Sequence, residues 1–281
     1  MSVISGIKGA VNGIDTVGKW SITTKADTQA YHASNTRGGP VRLPGNTDWS
    51  GSYDAKGGAP AVIPGETFAF VGQLDSGLTA EGQAIVDRIT ININVEGGGV
   101  VGHTVTFSAA GDLSTGSTPV SDTTDPAGIT AIGTTVEIVT PGGSDSDLES
   151  IADLRTITLT LSSDNKPYVT SDTAGGTRRV AGNFNLELSL TVYLDDLDEV
   201  PQPNDINRVV ITLSDLTTWD VSFVRWSEIT GVDVDVDNAA LVGATLNAAL
   251  TGVSDDGSTV LDGEVLDPNG DTVWPAEGSG S

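Results

Sequence analysis

The side chains able to do chemistry in this chain are few: two histidines, no cysteine, and carboxylates far outnumbering cations. The nearest approach to a cation site is Asp233-Val-Asp235-Val-Asp237, because a hard cation takes carboxylates from alternate positions of a loop. Yet the sixth position is Asn238 where such a loop turns on glycine, and the twelfth is Ala244 where it needs a bidentate Glu. The same alternation describes a strand that turns Val232, Val234 and Val236 to a core and its acids to solvent. That reading is preferred, and Asp267, Asn269 and Asp271 are read as a turn. His32 in a polar stretch and His103 in an alternating run are read as surface or interface side chains. The chain has no Gly-x-Ser-x-Gly elbow, no His-Glu-x-x-His and no phosphate-cradling Gly-x-x-x-x-Gly-Lys-Ser/Thr. Without cysteine there is no thiolate nucleophile and no disulfide. The expectation is a protein without catalysis, cofactor or metal.

The arginines carry more information. Arg37, Arg42, Arg178 and Arg179 are four of only eight, and all lie in two related polar stretches. Moving the sequence by 137 positions places Tyr31, Ser34, Thr36, Gly38, Gly39, Arg42, Gly45 and Asn46 on Tyr168, Ser171, Thr173, Gly175, Gly176, Arg179, Gly182 and Asn183. A shift of 141 places Val95, Val101, Gly102, Thr104 and Gly111 on Val236, Val242, Gly243, Thr245 and Gly252. Two collinear blocks of self-similarity indicate a tandem pair. The division expected is 1–133 for the first copy with its linker and 134–281 for the second with a C-terminal hairpin and tail. The polar stretches, 25–47 and 162–184, are expected to be long loops, which in compact domains are usually functional. Their arginines have two readings, a local surface ion pair of little value or a fork onto carboxylates of a neighbouring subunit.

The elements that would hold these residues are strands. Residues 18–24 and 155–161 alternate apolar and polar side chains, as do 67–73, 87–95, 103–109, 134–139, 185–193, 207–213, 219–225, 231–237 and 244–250. Many short strands with Gly, Pro, Asn and Asp turns point to two tandem β-sandwich or barrel-like domains. Two short flanking helices are expected, Ser146–Leu154 and Thr79–Val86. Asp267-Pro-Asn-Gly270 between two apolar runs predicts a hairpin. No apolar run is long enough to cross a membrane, and residues 1–8 lack the basic and apolar regions of a secretory leader.

Net charge is −25, with 13 Lys and Arg against 38 Asp and Glu. Such a surface repels a nucleic-acid backbone, since affinity for phosphate comes from cations that release counterions. The excess of Asp over Glu and the scarcity of Lys fit either adaptation to high salt, where screening is strong, or simple acidity.

The first copy resembles the major tail tube proteins of long-tailed viruses. The resemblance rests on Ile4-Ser-Gly6, the strand around Trp20, and the Tyr31–Thr36 segment ending in Arg42-Leu-Pro-Gly45. It continues through Asp48-Trp-Ser-Gly-Ser-Tyr53, Pro64-Gly65, and the pair Ile89–Val95 with His103–Phe107. It covers about residues 4–111 directly and 141–252 through the repeat, where Leu186-Glu-Leu188 replaces Trp49-Ser-Gly51. It implies a β-sandwich-like domain with a flanking helix, rings usually of six domains, and stacking of rings into a hollow tube that conducts the genome into the cell. The implied partners are other copies of the chain as homotrimeric rings, other tail proteins at the tube ends, and viral DNA passing without specific binding, with no membrane. The implied location is the virion tail, after synthesis in the host cytoplasm. Asn92, Asn94, Glu96, Asp233, Asp235 and Asp237 are expected on the lumen wall, and Arg37, Arg42, Arg178 and Arg179 at subunit interfaces. The alternatives are a capsid decoration or other virion structural protein, and a secreted pair of carbohydrate-binding modules.

Overall fold

A computed structural model describes residues 2–6, 8–11, 15–32, 39–74, 77–117, 120, 128–139, 147–151, 153–169, 176–194, 201–233, 242–252 and 264–275. These residues are mainly strand, as expected. The first copy opens with β1 (Ser2–Gly6), β2 (Lys8–Val11) and β3 (Asp15–Val17), then the long strands β4 (Lys19–His32) and β5 (Pro40–Lys56). It closes with β6 (Thr67–Gln73), β7 (Thr79–Asn94) and β8 (Gly102–Gly116). The second copy holds β9 (Thr135–Val139), β10 (Glu149–Ser150), β11 (Leu154–Ser163), β12 (Lys166–Tyr168), β13 (Arg178–Val180) and β14 (Phe184–Leu194). After them come β15 (Ile206–Thr212), β16 (Thr218–Asp233), β17 (Val242–Leu250), β18 (Glu264–Leu266) and β19 (Thr272–Pro275).

The duplication extends to hydrogen-bond register. In the first copy Trp20 faces Tyr53, Ile22 faces Gly51 and Thr24 faces Trp49 across β4 and β5. In the second, Ile157 faces Leu190, Leu159 faces Leu188 and Leu161 faces Leu186 across β11 and β14, the same pairs moved by 137. The ladder then runs β5–β8–β7–β6 in one copy and β14–β17–β16–β15 in the other. A bulge recurs at the same point, between Val86 and Arg88 in β7 and between Trp226 and Glu228 in β16.

The alternating side chains on these strands divide into two faces. Inward positions feed one continuous apolar cluster that includes Trp20, Tyr53, Phe107, Ile91, Leu159, Leu188, Leu246, Trp219 and Trp226. The sheet curls so that Phe68 and Phe70 of β6 meet the same core, with Phe70 5.0 Å from Phe107 and Phe68 6.3 Å from Tyr53. Such aromatic pairs add to the burial of apolar area. The opposite face carries short polar side chains.

Several expectations change. Thr79–Val86 is not a helix but the first half of β7, paired with β6 on one side and β8 on the other. Gly82 there lets Trp49 approach: a Cβ on it would lie 2.6 Å from the indole. Glu149–Ser150, within the other helical candidate, is a short strand against β9. The threefold spacing of Leu148, Ile151 and Leu154 is broken by Asp153, with φ of 53°. The segment expected as a long loop at 25–47 is mostly a hairpin arm, because β4 runs on to His32 and β5 begins at Pro40. Its counterpart is the two-stranded β12–β13 ribbon. His103 is buried rather than superficial, because it shares the inward parity of Val105 and Phe107. The hairpin at Asp267 is present: Asp267 Oδ1 accepts from the backbone N–H groups of Asn269 and Asp271, and Gly270 takes φ of 80°.

Candidate functional site

The two copies meet edge to edge. Along one side of β7, residues Thr79–Ile85 pair with β6 of their own copy, and Arg88–Asn94 pair with β11 of the other. The second contact is an antiparallel ladder in which Asn94 faces Thr156, Ile93 faces Ile157, Asn92 faces Thr158, Ile91 faces Leu159 and Thr90 faces Thr160. The isoleucines and leucine enter the core, and Thr158 Oγ1 donates to Asn92 Oδ1 at 3.2 Å on the outer face.

The arm of the second copy reinforces this joint. Arg179 donates from its two terminal nitrogens to Asp48, at 3.0 and 2.9 Å, and again to the carbonyl of Ala109 at 2.9 Å. Arg178 donates to the carbonyl of Ala110 at 2.8 Å. Asp48 and Arg179 have side chains 14% and 12% exposed, so the pair is shielded far better than a surface ion pair. Burial opposes ionisation of Asp48, but hydrogen bonding and charge from Arg179, with Lys25 adding, outweigh it and hold the carboxyl below its ordinary value. Nearby, Asn165 donates to the Val86 carbonyl at 2.8 Å and to Asp87 at 2.7 Å.

At the other end of the ladder, Arg155 donates to Glu96 at 2.9 and 2.7 Å, and the Tyr193 hydroxyl donates to the other Glu96 oxygen at 3.0 Å. The guanidinium lies 4.4 Å from the Tyr193 ring centre. The Arg155 hydrogen bond, then that from Tyr193, keeps Glu96 below the usual carboxylate range, and the bond to Glu96 raises Tyr193.

The residues singled out from sequence therefore have these places. Asn92, Asn94 and Glu96 are exposed along the outer face, with Glu96 neutralised by Arg155. Asp233 ends β16; Asp235, Asp237 and Arg37 lie outside the described residues. Arg42 and Arg179 hold equivalent register positions, opposite Ala30 and Pro167. Their surroundings differ: Arg42 is exposed, whereas Arg178 and Arg179 bind the first copy of their own chain. The outer face beside them is rich in small polar groups, with Ser52, Thr104, Thr106, Thr90, Thr158, Thr160, Ser189, Thr245 and Asn247 at half-buried positions.

Sequence reading missed Asp48, Arg155, Tyr193 and Asn165. The one available signal was the lone acid in Asp48-Trp-Ser, whose counterpart in the second copy is Asn185. The matched glycines also gain a cause. A Cβ on Gly45 would lie 2.3 Å from the Asp27 carbonyl oxygen, and one on Gly182 would lie 1.7 Å from that of Asp164.

No family model matches the chain, and no curated protein matches it. Chemically, the arrangement clamps the two repeat copies together within one sheet and leaves a broad polar face on one side.

Proposed function

We propose that this chain is a virion structural protein, the major subunit of a tail tube, polymerising as stacked rings into a hollow conduit for a genome. The observation that carries this reading is the β7–β11 joint: two homologous copies extend one sheet edge to edge in a single direction of travel. A head-to-tail contact of this kind generates a ring when its rotation closes. Three chains then supply six homologous copies around one axis. The sequence resemblance adds the order of segments through Asp48–Tyr53.

The inner wall in this reading is the polar face. Ser, Thr and Asn side chains there offer a nucleic acid no dense array of cations, and two of the neighbouring cations, Lys25 and Arg155, are engaged by Asp48 and Glu96. DNA then passes without a contact that would release counterions and hold it. Asn92, Asn94 and Glu96, with Asp233, Asp235 and Asp237 of the second copy, line that wall. The chain has no catalytic role, needs no cofactor, and meets other tail proteins at the tube ends. Negative-stain microscopy of the purified protein tests the reading. Rings or tubes are the expected result; particles that only decorate capsids, or monomers that respond to a sugar, would replace it with one of the alternatives.

A further inference from the structure

Resting on that reading, we infer that strand β1 is a placeholder: it occupies the edge of β4 that β16 of a neighbouring chain takes over on assembly. The joint between the copies supplies the template. In the second copy, the edge of β11 is covered by Arg88–Asn94 of β7, with Ile91 opposite Leu159 and Asn92 opposite Thr158. In the first copy the equivalent edge of β4 is covered by β1, with Ile4 opposite Ile22 and Ser5 opposite Ser21. Leu159 and Ile22 are the same repeat position, as are Thr158 and Ser21. Thus β1 sits in the seat of β7, in the same antiparallel sense, with five residues where β7 supplies seven.

The matching donor edge lies on β16 of the second copy. β15 pairs with Thr218–Arg225 of β16, as β6 pairs with the first half of β7. Beyond Arg225, no described strand pairs with β16 on that side, although Glu228–Asp233 remain paired with β17 on the other. By repeat register, Glu228 corresponds to Arg88, Thr230 to Thr90, and Asp233 to Asn92, with one extra residue in the β16 bulge between Thr230 and Asp233.

Carrying the template across chains sets Asp233 opposite Ser21, Thr230 opposite Thr23 and Glu228 opposite Lys25. The last pair is complementary in charge, where the joint within the chain has Arg88 opposite Ser162. Arg42 of the next chain then takes the role of Arg179, reaching Asn185 in place of Asp48 and the Leu250 carbonyl in place of that of Ala109. A strand edge left open recruits another strand, and β1, only five residues long, shields the acceptor edge until a neighbour arrives.

The chain has no native cysteine, so a reversible lock is specific. The double variant Ser5→Cys, Ser21→Cys joins a directly opposed pair, at a separation within disulfide range for neighbouring strands. Oxidised, this variant should lose assembly and remain monomeric; the same sample, once reduced, should form rings as the wild type does. Because one polypeptide is measured in two states, misfolding is excluded by the reduced arm. Equal assembly in both states overturns the inference and leaves the tube reading standing. Wild type that forms no ring in any condition overturns both. In parallel, Lys25→Glu should weaken assembly and Glu228→Lys in the same chain should restore it; no restoration would contradict the proposed register.

Discussion

Arg179 fills three acceptor positions at once, two on Asp48 and one on Ala109, so its truncation leaves a shielded carboxylate and a carbonyl without their donor. Arg179→Ala should cost about 2 kcal/mol of stability, read as a lower midpoint in denaturant with the slope unchanged. An unaltered midpoint would mean that the pair contributes nothing. The same pair sets a pH dependence. Because Asp48 is held below its ordinary value in the folded state, its contribution is fully present above the unfolded value of 3.8 and is lost as pH falls through the folded one. Wild type should therefore destabilise more steeply than Arg179→Ala on acidification below about pH 4. Parallel stability curves would contradict this. Glycine gives a second contrast. Gly182→Ala should destabilise strongly, with its Cβ 1.7 Å from a backbone oxygen, whereas Gly99→Ala meets nothing within 4 Å and should be near neutral in the same thermal melt. The repeat made Gly182 and Arg179 visible, since identity with Gly45 and Arg42 across the two copies marks them. Asp48 stayed hidden because its partner lies in the other copy, and no local pattern records a contact 131 residues away.

Strand periodicity was readable where one face is buried: residues 67–73 are β6, and 185–193 fall within β14. It failed at Thr79–Val86, where Ala84, Ile85 and Val86 are all buried in succession and alternation gives no signal. It failed again in the arms, whose exposed polar residues carry no hydrophobic pattern although the backbone is fully extended. The joint itself could not be seen in sequence, because edge pairing depends on which strand lies alongside. Its consequence is measurable. Arg88–Asn94 have strands on both sides, so their amides should exchange slowly with solvent. Glu228–Asp233, the repeat counterparts, are expected to exchange faster in the isolated chain and to become protected on assembly. Equal protection of the two segments before assembly would show that the β16 edge is already covered.

At the scale of the molecule, composition indicated an acidic β protein, and the tandem organisation appeared in the repeat. What composition did not reveal is that the broad outer face of the joined sheet is dominated by small Ser, Thr and Asn groups, so the acid excess is not concentrated there among the described residues. Changing Asp233, Asp235 and Asp237 together to Lys should leave the tube intact but stall DNA within it, because added cations bind phosphate; unimpeded delivery would place those acids elsewhere. Joined copies within one chain also fix a stoichiometry. Cryo-electron microscopy of the assembled protein is the most direct test. The expected result is a hollow ring of three chains, in which six homologous copies are related by near-equal rotations and the joint between chains repeats the β7–β11 joint within each chain. A ring of six chains, or copies that meet through any other edge, would contradict it.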